Sequence, residues 1–378
     1  MPYPTDVTAP RFGVEAFAEN DAGSQLAQAA FLLLLGDELK RSRERLTLAT
    51  RGEIVDEPLD EDAARFGVPR IDVEGQRYRF RGALTEEMSV QQPPRARGRA
   101  APYQVSRDLA FRLQDSPRER TAAALLQVCA NRPEPIVRTA AAAAGMEITA
   151  EPGRLIAILA KATRDDDTLV RDLAATALAR SYPEHSALRR LAPRTRQRPE
   201  KRDAHTSLLI HGTFAKNGTW WQPGGDFHTY LLQNVLPDLY AGSDRFDWSG
   251  GYSDAARLIA ASDLQQWIAN HGVSDPLVMG HSHGANVVFL TTQLGVTMRE
   301  AVLLSCPVHW PKYAPDFSRV AKVVSIRVHL DLVILADGGR QRFDDPRIEE
   351  HVLPVWFNHS ATHDPLIWQT HNVSAMLD

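Results

Sequence analysis

The chain has 378 residues, 43% apolar and 24% charged, which suits a soluble globular protein long enough for two domains. A formal net charge of −4 is too small to imply a nucleic-acid or other polyanion partner for the chain as a whole. Its two cysteines, Cys129 and Cys306, lie far apart without metal or redox spacing, and read as free thiols in a reducing compartment.

Met1 to Asn20 is Pro-rich and acidic and has no basic n-region, so it does not read as a signal peptide. The longest apolar run, Ala27 to Leu35, broken only by Gln28, is far short of a membrane span, and a cytoplasmic location is expected. Residues 25–46 predict an amphipathic helix, with Leu26, Ala29, Ala30, Leu33 and Leu34 at helical spacing. Its last turns carry Lys40, Arg41, Arg43 and Arg45, where cations complement the helix dipole. Ile71-Asp72-Val73 and Tyr78-Arg79-Phe80 alternate around Glu74-Gly75, which predicts a small hairpin. Gln91 to Pro102 is a Pro/Arg/Gly-rich stretch that reads as a solvated linker.

Residues 105–182 are Ala-rich and helical, with a weak internal repeat. Pro135-Ile136-Val137-Arg138-Thr139-Ala140-Ala141 returns 33 positions later as Thr168-Leu169-Val170-Arg171-Asp172-Leu173-Ala174. Arg120-Thr121-Ala122 echoes the same helix. The pattern of an apolar residue, an arginine and then small residues resembles HEAT-like α-helical repeats, which implies stacked helical hairpins. Such a surface either binds a protein partner or serves as a structural shoulder or cap. Leu188 to Asp203 is a second, basic, Pro-interrupted linker. The expected organisation is therefore an N-terminal helix and hairpin segment (1–104), helical repeats (105–186), a basic linker (187–204) and a C-terminal domain (205–378).

Residues 205–378 alternate apolar runs with helical segments, which predicts an α/β fold with a parallel sheet and helices on both faces. Strands are expected at 206–211, 244–248, 276–281, 300–305, 322–329 and 351–357. Helices are expected at Phe227–Leu236, Ala255–His271, Ala285–Leu294 and Asp364–Met376. The run Leu277-Val278-Met279 ends in Gly280-His281-Ser282-His283-Gly284, and a helix-compatible segment follows. Strand, sharp turn and helix together suit a serine exposed on a strained turn, with glycines two residues either side removing side chains that would collide. The backbone N–H of His283 then points where an oxyanion would form.

Ser207 to Ile210 is a second buried-looking strand that ends in His211-Gly212, about 70 residues before the serine turn. With these residues, the stretch 205–378 resembles the serine esterases and lipases of the α/β-hydrolase superfamily. Phe246-Asp247-Trp248-Ser249-Gly250 resembles the next strand of lipase-like members. The resemblance implies an α/β-hydrolase fold and a triad in the chain order Ser, Asp or Glu, His, each after a strand. Ser282 is then the nucleophile. Asp331, after strand 322–329, is the expected acid, with Asp337 as the alternative better suited to a turn. His363, directly before the Asp364-Pro365 helix start, is the expected base, with His359 as the alternative. The oxyanion hole would combine the N–H of His283 with that of Phe214 or Thr213, Phe214 being preferred.

Trp220, Trp221 and Trp310 are candidate walls of an acyl pocket, and core positions would suit the first two as well. No metal or other cofactor is expected, since His359 and His363 have helical metal-pair spacing but sit in a loop. The connection 306–320 is too short for the large lid many lipases carry, so short or medium acyl esters are the favoured substrates. A lipase, phospholipase or thioesterase would use the same machinery. A partner-regulated or scaffold protein is the reading from another class.

Overall fold

The computed structural model describes residues 12–51, 59–80, 102–189, 191 and 206–377. The expected linker 91–102 lies, except for Pro102, outside the described residues, as does most of the linker 188–203. The chain divides into two compact units, and the boundary falls between Leu178 and Ala179.

The N-terminal unit is helical. Its long helix α1 (Ala22–Ala49) starts at Asp21, whose carboxylate accepts from the N–H of Ser24. Every residue from Leu26 to Gly36 is buried, so α1 is a central helix and not the one-sided amphipathic helix its periodicity predicts. After α2 (Glu61–Arg65) come α3 (Pro102–Asp115), α4 (Glu119–Cys129), α5 (Pro135–Gly145), α6 (Gly153–Ala162) and α7 (Thr168–Ser181). Helices α1 and α5 meet closely. A Cβ on Gly36 would stand 2.7 Å from the Ala144 Cβ and 2.8 Å from its Cα. The N-terminal helix therefore shares one core with the repeat helices, and no domain boundary falls at 104.

The hairpin expected over 71–80 does not form. Asp72 bridges to Arg118 and Tyr78 to Thr149, so the two extended pieces pair with the helical unit instead of with each other. The buried guanidinium of Arg132 is satisfied by Gln28 Oε1 at 2.7 Å, Ser106 Oγ at 3.3 Å and Asn20 Oδ1 at 2.5 Å. The internal repeat is visible in hydrogen bonding. Arg138 in α5 donates to the carbonyls of Arg132 (3.0 Å) and Pro133 (2.9 Å). Arg171 in α7 donates to those of Asp165 (2.7 Å) and Asp166 (2.9 Å). Each arginine thus ties its helix to the carbonyls six and five residues upstream.

The C-terminal unit begins with the end of α7 and the short α8 (Ser186–Arg189) and is then α/β. Its five strands are β1 (Leu208–Ile210), β2 (Leu277–His281), β3 (Met298–Leu304), β4 (Val320–Arg327) and β5 (Ile348–Val352). They pair in sequence order and are all parallel. A sheet covered on both faces needs strands apolar on both sides, which is why β1 and β2 are buried throughout. One face packs Val278, Ala301, Leu303 and Val323 against α10 (Asp254–His271) and α11 (His283–Gln293). The other packs Met279, Val302, Leu304, Val324 and Ile326 against α9 (Asp226–Asn234) and α13 (Pro365–Thr370).

Residues 244–248 are not a strand. Among the described residues the sheet continues beyond β1 only as a parallel bridge between Ser207 and Leu239, and the indole N–H groups of Trp248 and Trp267 bond to the carbonyls of His211 and Asp244. The last predicted helix is also shorter, because Asn372 takes a left-handed conformation and separates α13 from a 3₁₀ turn at Val373–Met376. Among the described residues no helix is long and apolar enough to cross a membrane.

Candidate functional site

The carboxyl ends of β1, β2 and β4 and the turn that follows β5 gather the polar residues of this unit. Ser282 joins β2 to α11 with φ 53° and ψ −133°, a strained conformation for a residue with a side chain. The strain is held by what surrounds it. The Ser282 N–H donates to the Leu304 carbonyl at 2.8 Å, which extends the β2–β3 pairing through the turn. Gly280 and Gly284 are required by contact. A Cβ at Gly280 would lie 2.7 Å from the Ala285 nitrogen, and one at Gly284 would lie 2.5 Å from the His211 carbonyl oxygen.

The loop after β1 runs directly past the serine, since a Cβ on Gly212 would come within 2.8 Å of the Ser282 Cβ. His211 anchors that loop. Its Nδ1 meets the Gly212 carbonyl at 2.8 Å and its Nε2 meets Asp247 Oδ1 at 3.3 Å, while Lys216 pairs with Asp247 Oδ2 at 3.2 Å. Burial raises the Asp247 pKa, but His211 and Lys216 outweigh it and hold the carboxyl below its ordinary value. Asp247 lies in the stretch 246–250 that resembles a strand of lipase-like members, but nothing in local spacing couples it or Lys216 to His211.

The oxyanion assignment changes at one position. The Phe214 N–H already donates to the Gly250 carbonyl at 2.9 Å, with Phe214 at φ 61°. Among the described residues the N–H groups of Thr213 and His283 donate to no acceptor, so Thr213 and not Phe214 is the loop's available donor. His283 opens α11, and its N–H is one of the donors a helix start leaves unpaired.

Asp331 is fully buried at the start of α12 (Leu332–Asp337). Its Oδ1 accepts from the N–H groups of Val333 (2.9 Å) and Ile334 (3.2 Å). Its Oδ2 lies 2.7 Å from Nδ1 of His359. Buried Gln341 clamps the Asp331 backbone, accepting from its N–H at 3.0 Å and donating to its carbonyl at 3.3 Å. Asp331 and Phe357 also bridge as an extension of the β4–β5 pairing, which fixes the turn that carries His359. Phe357 at φ 69° bends the chain, and Asn358 caps the 3₁₀ turn His359–His363 by accepting from Ser360 N–H at 3.1 Å.

The structure therefore gives Asp331 the partner His359, correcting the assignment of His363. His359 also lies beside the serine turn, with its carbonyl 3.4 Å from Nε2 of His281 and the two rings 4.6 Å apart. His363 is stacked on Trp220 at 4.0 Å and lies near Phe227. Burial first, and then His359, push its pKa down to about 3, which leaves a neutral, weakly basic imidazole.

Of the three tryptophans, Trp220 is half-buried beside His281 and His363. Trp221 is a core residue, 1% exposed, with its indole N–H on the Ala215 carbonyl at 3.0 Å. Trp310 packs against Phe317 and Phe343 at the α11 side of the sheet. Asp337 combines the expected turn role, with Gly338 left-handed after it, and a set of buried contacts to His283 and His309 that spacing did not reveal.

The arrangement supplies a hydroxyl on a strained turn, a carboxylate–imidazole pair on the same sheet edge and two free N–H donors. That combination is suited to nucleophilic attack on a carbonyl. Comparison with known proteins finds no family model and no curated protein that matches this chain.

Proposed function

We propose that residues 206–377 form a serine carboxyl-ester hydrolase of the α/β-hydrolase type. The observation that carries this reading is the buried Asp331–His359 pair beside a serine held at φ 53°. In the proposed reaction Ser282 Oγ attacks the ester carbonyl carbon while His359 Nε2 takes the hydroxyl proton. Asp331 holds the tautomer through Nδ1–H and stabilises the imidazolium. The N–H groups of His283 and Thr213 receive the negative oxygen. Collapse breaks the carbon–oxygen bond to the alcohol, which leaves with the proton from His359. Water, deprotonated by the same imidazole, then attacks the acyl-enzyme and releases the acid and the free serine. No metal takes part in these steps.

Short and medium acyl esters are the favoured substrates, because the connection 305–319 between β3 and β4 holds no lid-sized insertion. We read the N-terminal helices as HEAT-like repeats, on the strength of the matched arginine contacts of Arg138 and Arg171. The test is hydrolysis of p-nitrophenyl esters from acetate to palmitate by the wild type and by Ser282→Ala. The expected result is turnover that peaks at short or medium chains and disappears in the variant. Equal rates for the two proteins would overturn the reading.

A further inference from the structure

Ser282 stands between two histidines that meet different partners. His281 lies against His359 and His363, whereas His283 turns into a buried group of Asn286, Asp337 and Tyr252, with the part-exposed His309 at its edge. The hydrogen bonds of that group run in one consistent direction. The Cys306 thiol donates to Asn286 Oδ1 at 3.7 Å, so the Asn286 amide nitrogen faces the Pro307 carbonyl at 3.1 Å and Nδ1 of His283 at 3.0 Å. Nδ1 is then an acceptor, and the ring proton sits on Nε2, which donates to Asp337 Oδ1 at 3.0 Å. Tyr252 donates its hydroxyl to the same oxygen, and Nε2 of His309 donates to Oδ2 at 2.5 Å. Arg257, 2.9 Å from Nε2 of His283, sets a positive charge beside the carboxylate.

Helix α12 links this group to the base. Asp331 caps its first turn and grips Nδ1 of His359, while Asp337, its last residue, grips Nε2 of His283. Six residues of helix separate the two carboxylates by about 9 Å, and both are buried. One short rigid element therefore holds a histidine from each side of the reactive turn.

The turn needs such a hold. Ser282 is strained at φ 53°, and strained backbone persists only where its surroundings over-determine it. Upstream, the Ser282 N–H is fixed on the Leu304 carbonyl. Downstream, the His283 N–H cannot be tied to a protein acceptor and still receive an oxyanion. Beyond the bonds of α11 itself, the side chain is what remains to fix that residue. We propose that Asp337 is a positioning residue: acting through the His283 side chain, it locks the Ser282–His283 turn and aims the His283 N–H at the oxyanion, in register with His359. This role rests on the hydrolase reading.

The test is steady-state kinetics of the full chain on p-nitrophenyl butyrate. Asp337→Asn should lower kcat about ten- to a hundredfold and change KM less than about threefold, because an oxyanion donor acts in the transition state. His283→Leu should do the same, and His283→Gln, which places an amide N–H where Nε2–H stands, should recover part of the loss. Because Asp337 acts through His283, the double variant of Asp337→Asn and His283→Leu should lose no more kcat than His283→Leu alone. The control is Asp244→Asn, which breaks another buried pair, with His271 at the far end of α10. It should lower the thermal midpoint yet leave kcat within about twofold of wild type. Wild-type kcat in Asp337→Asn, fully additive losses in the double variant, or an equal loss in Asp244→Asn would overturn the role while the hydrolase reading stands. A wild type that neither turns over ester nor takes a fluorophosphonate label would overturn both.

Discussion

Four residues separate His359 from His363, and the two imidazoles differ in what they touch. His359 has a buried carboxylate on Nδ1 and the serine turn beside it. His363 has an indole face and a pKa of about 3. His359→Ala is therefore predicted to lower kcat/KM for a p-nitrophenyl ester by at least about a thousandfold. His363→Ala should change it by less than about tenfold, a difference that steady-state kinetics on both variants measures. Asp331 could be located from the sequence because it follows a long apolar strand and opens a helix. The choice between the two histidines could not, because the left-handed Phe357 and the Asn358 cap turn the chain early and bring the first one to Asp331. A helix-start rule applied to Asp364-Pro365 does mark the true start of α13, yet the histidine that pairs with Asp331 is not the residue next to it.

Local signals marked the first four parallel strands and the serine turn well, because apolar runs and paired glycines are properties of adjacent residues, whereas the strand expected at 351–357 lies earlier, at Ile348–Val352, in a segment of charged residues. Gly284→Ala tests the turn. Its added methyl would meet the His211 carbonyl at 2.5 Å, and both groups belong to backbone that cannot swing away. The expected loss is about 1–3 kcal/mol of stability, read as a shift in the denaturant midpoint at unchanged slope. Edge elements were less legible. The segment 244–248 reads as a strand in the sequence, but its one tryptophan, Trp248, donates its indole N–H to the His211 carbonyl, and it is Leu239 that bridges to the sheet edge. The hairpin over 71–80 failed for a related reason, since both arms found partners far along the chain. In the helical unit, Arg171→Met removes hydrogen bonds to two carbonyls at the turn before α7. A loss of about 1–2 kcal/mol is expected there, and the same from Arg138→Met, checked by chemical denaturation.

Burial holds four histidines of the C-terminal unit below the ordinary value: His228, His281 well below it, His283 at about 4 and His363 at about 3. The sign follows from linkage. Below the unfolded pKa of 6.5 the unfolded chain takes up protons at these positions and the folded chain does not. Stability is therefore full above about pH 6.5 and falls as the pH drops toward 4. Asp337, held well below its ordinary value by His283 and His309 against the burial that raises it, acts in the same direction at lower pH. Thermal unfolding from pH 7 to 4 should show a falling midpoint, and His363→Gln should flatten that fall. A midpoint independent of pH would contradict the burial of neutral imidazoles.

The central claim joins Ser282, His359 and Asp331 into one reactive unit, and covalent labelling with a fluorophosphonate tests it most directly. Intact-mass and peptide measurements should find one adduct per chain, on Ser282, in the wild type and in His363→Ala. Labelling should be lost in Ser282→Ala and slowed by orders of magnitude in His359→Ala. A folded wild-type protein that takes up no label, or one labelled equally well without His359, would contradict the account.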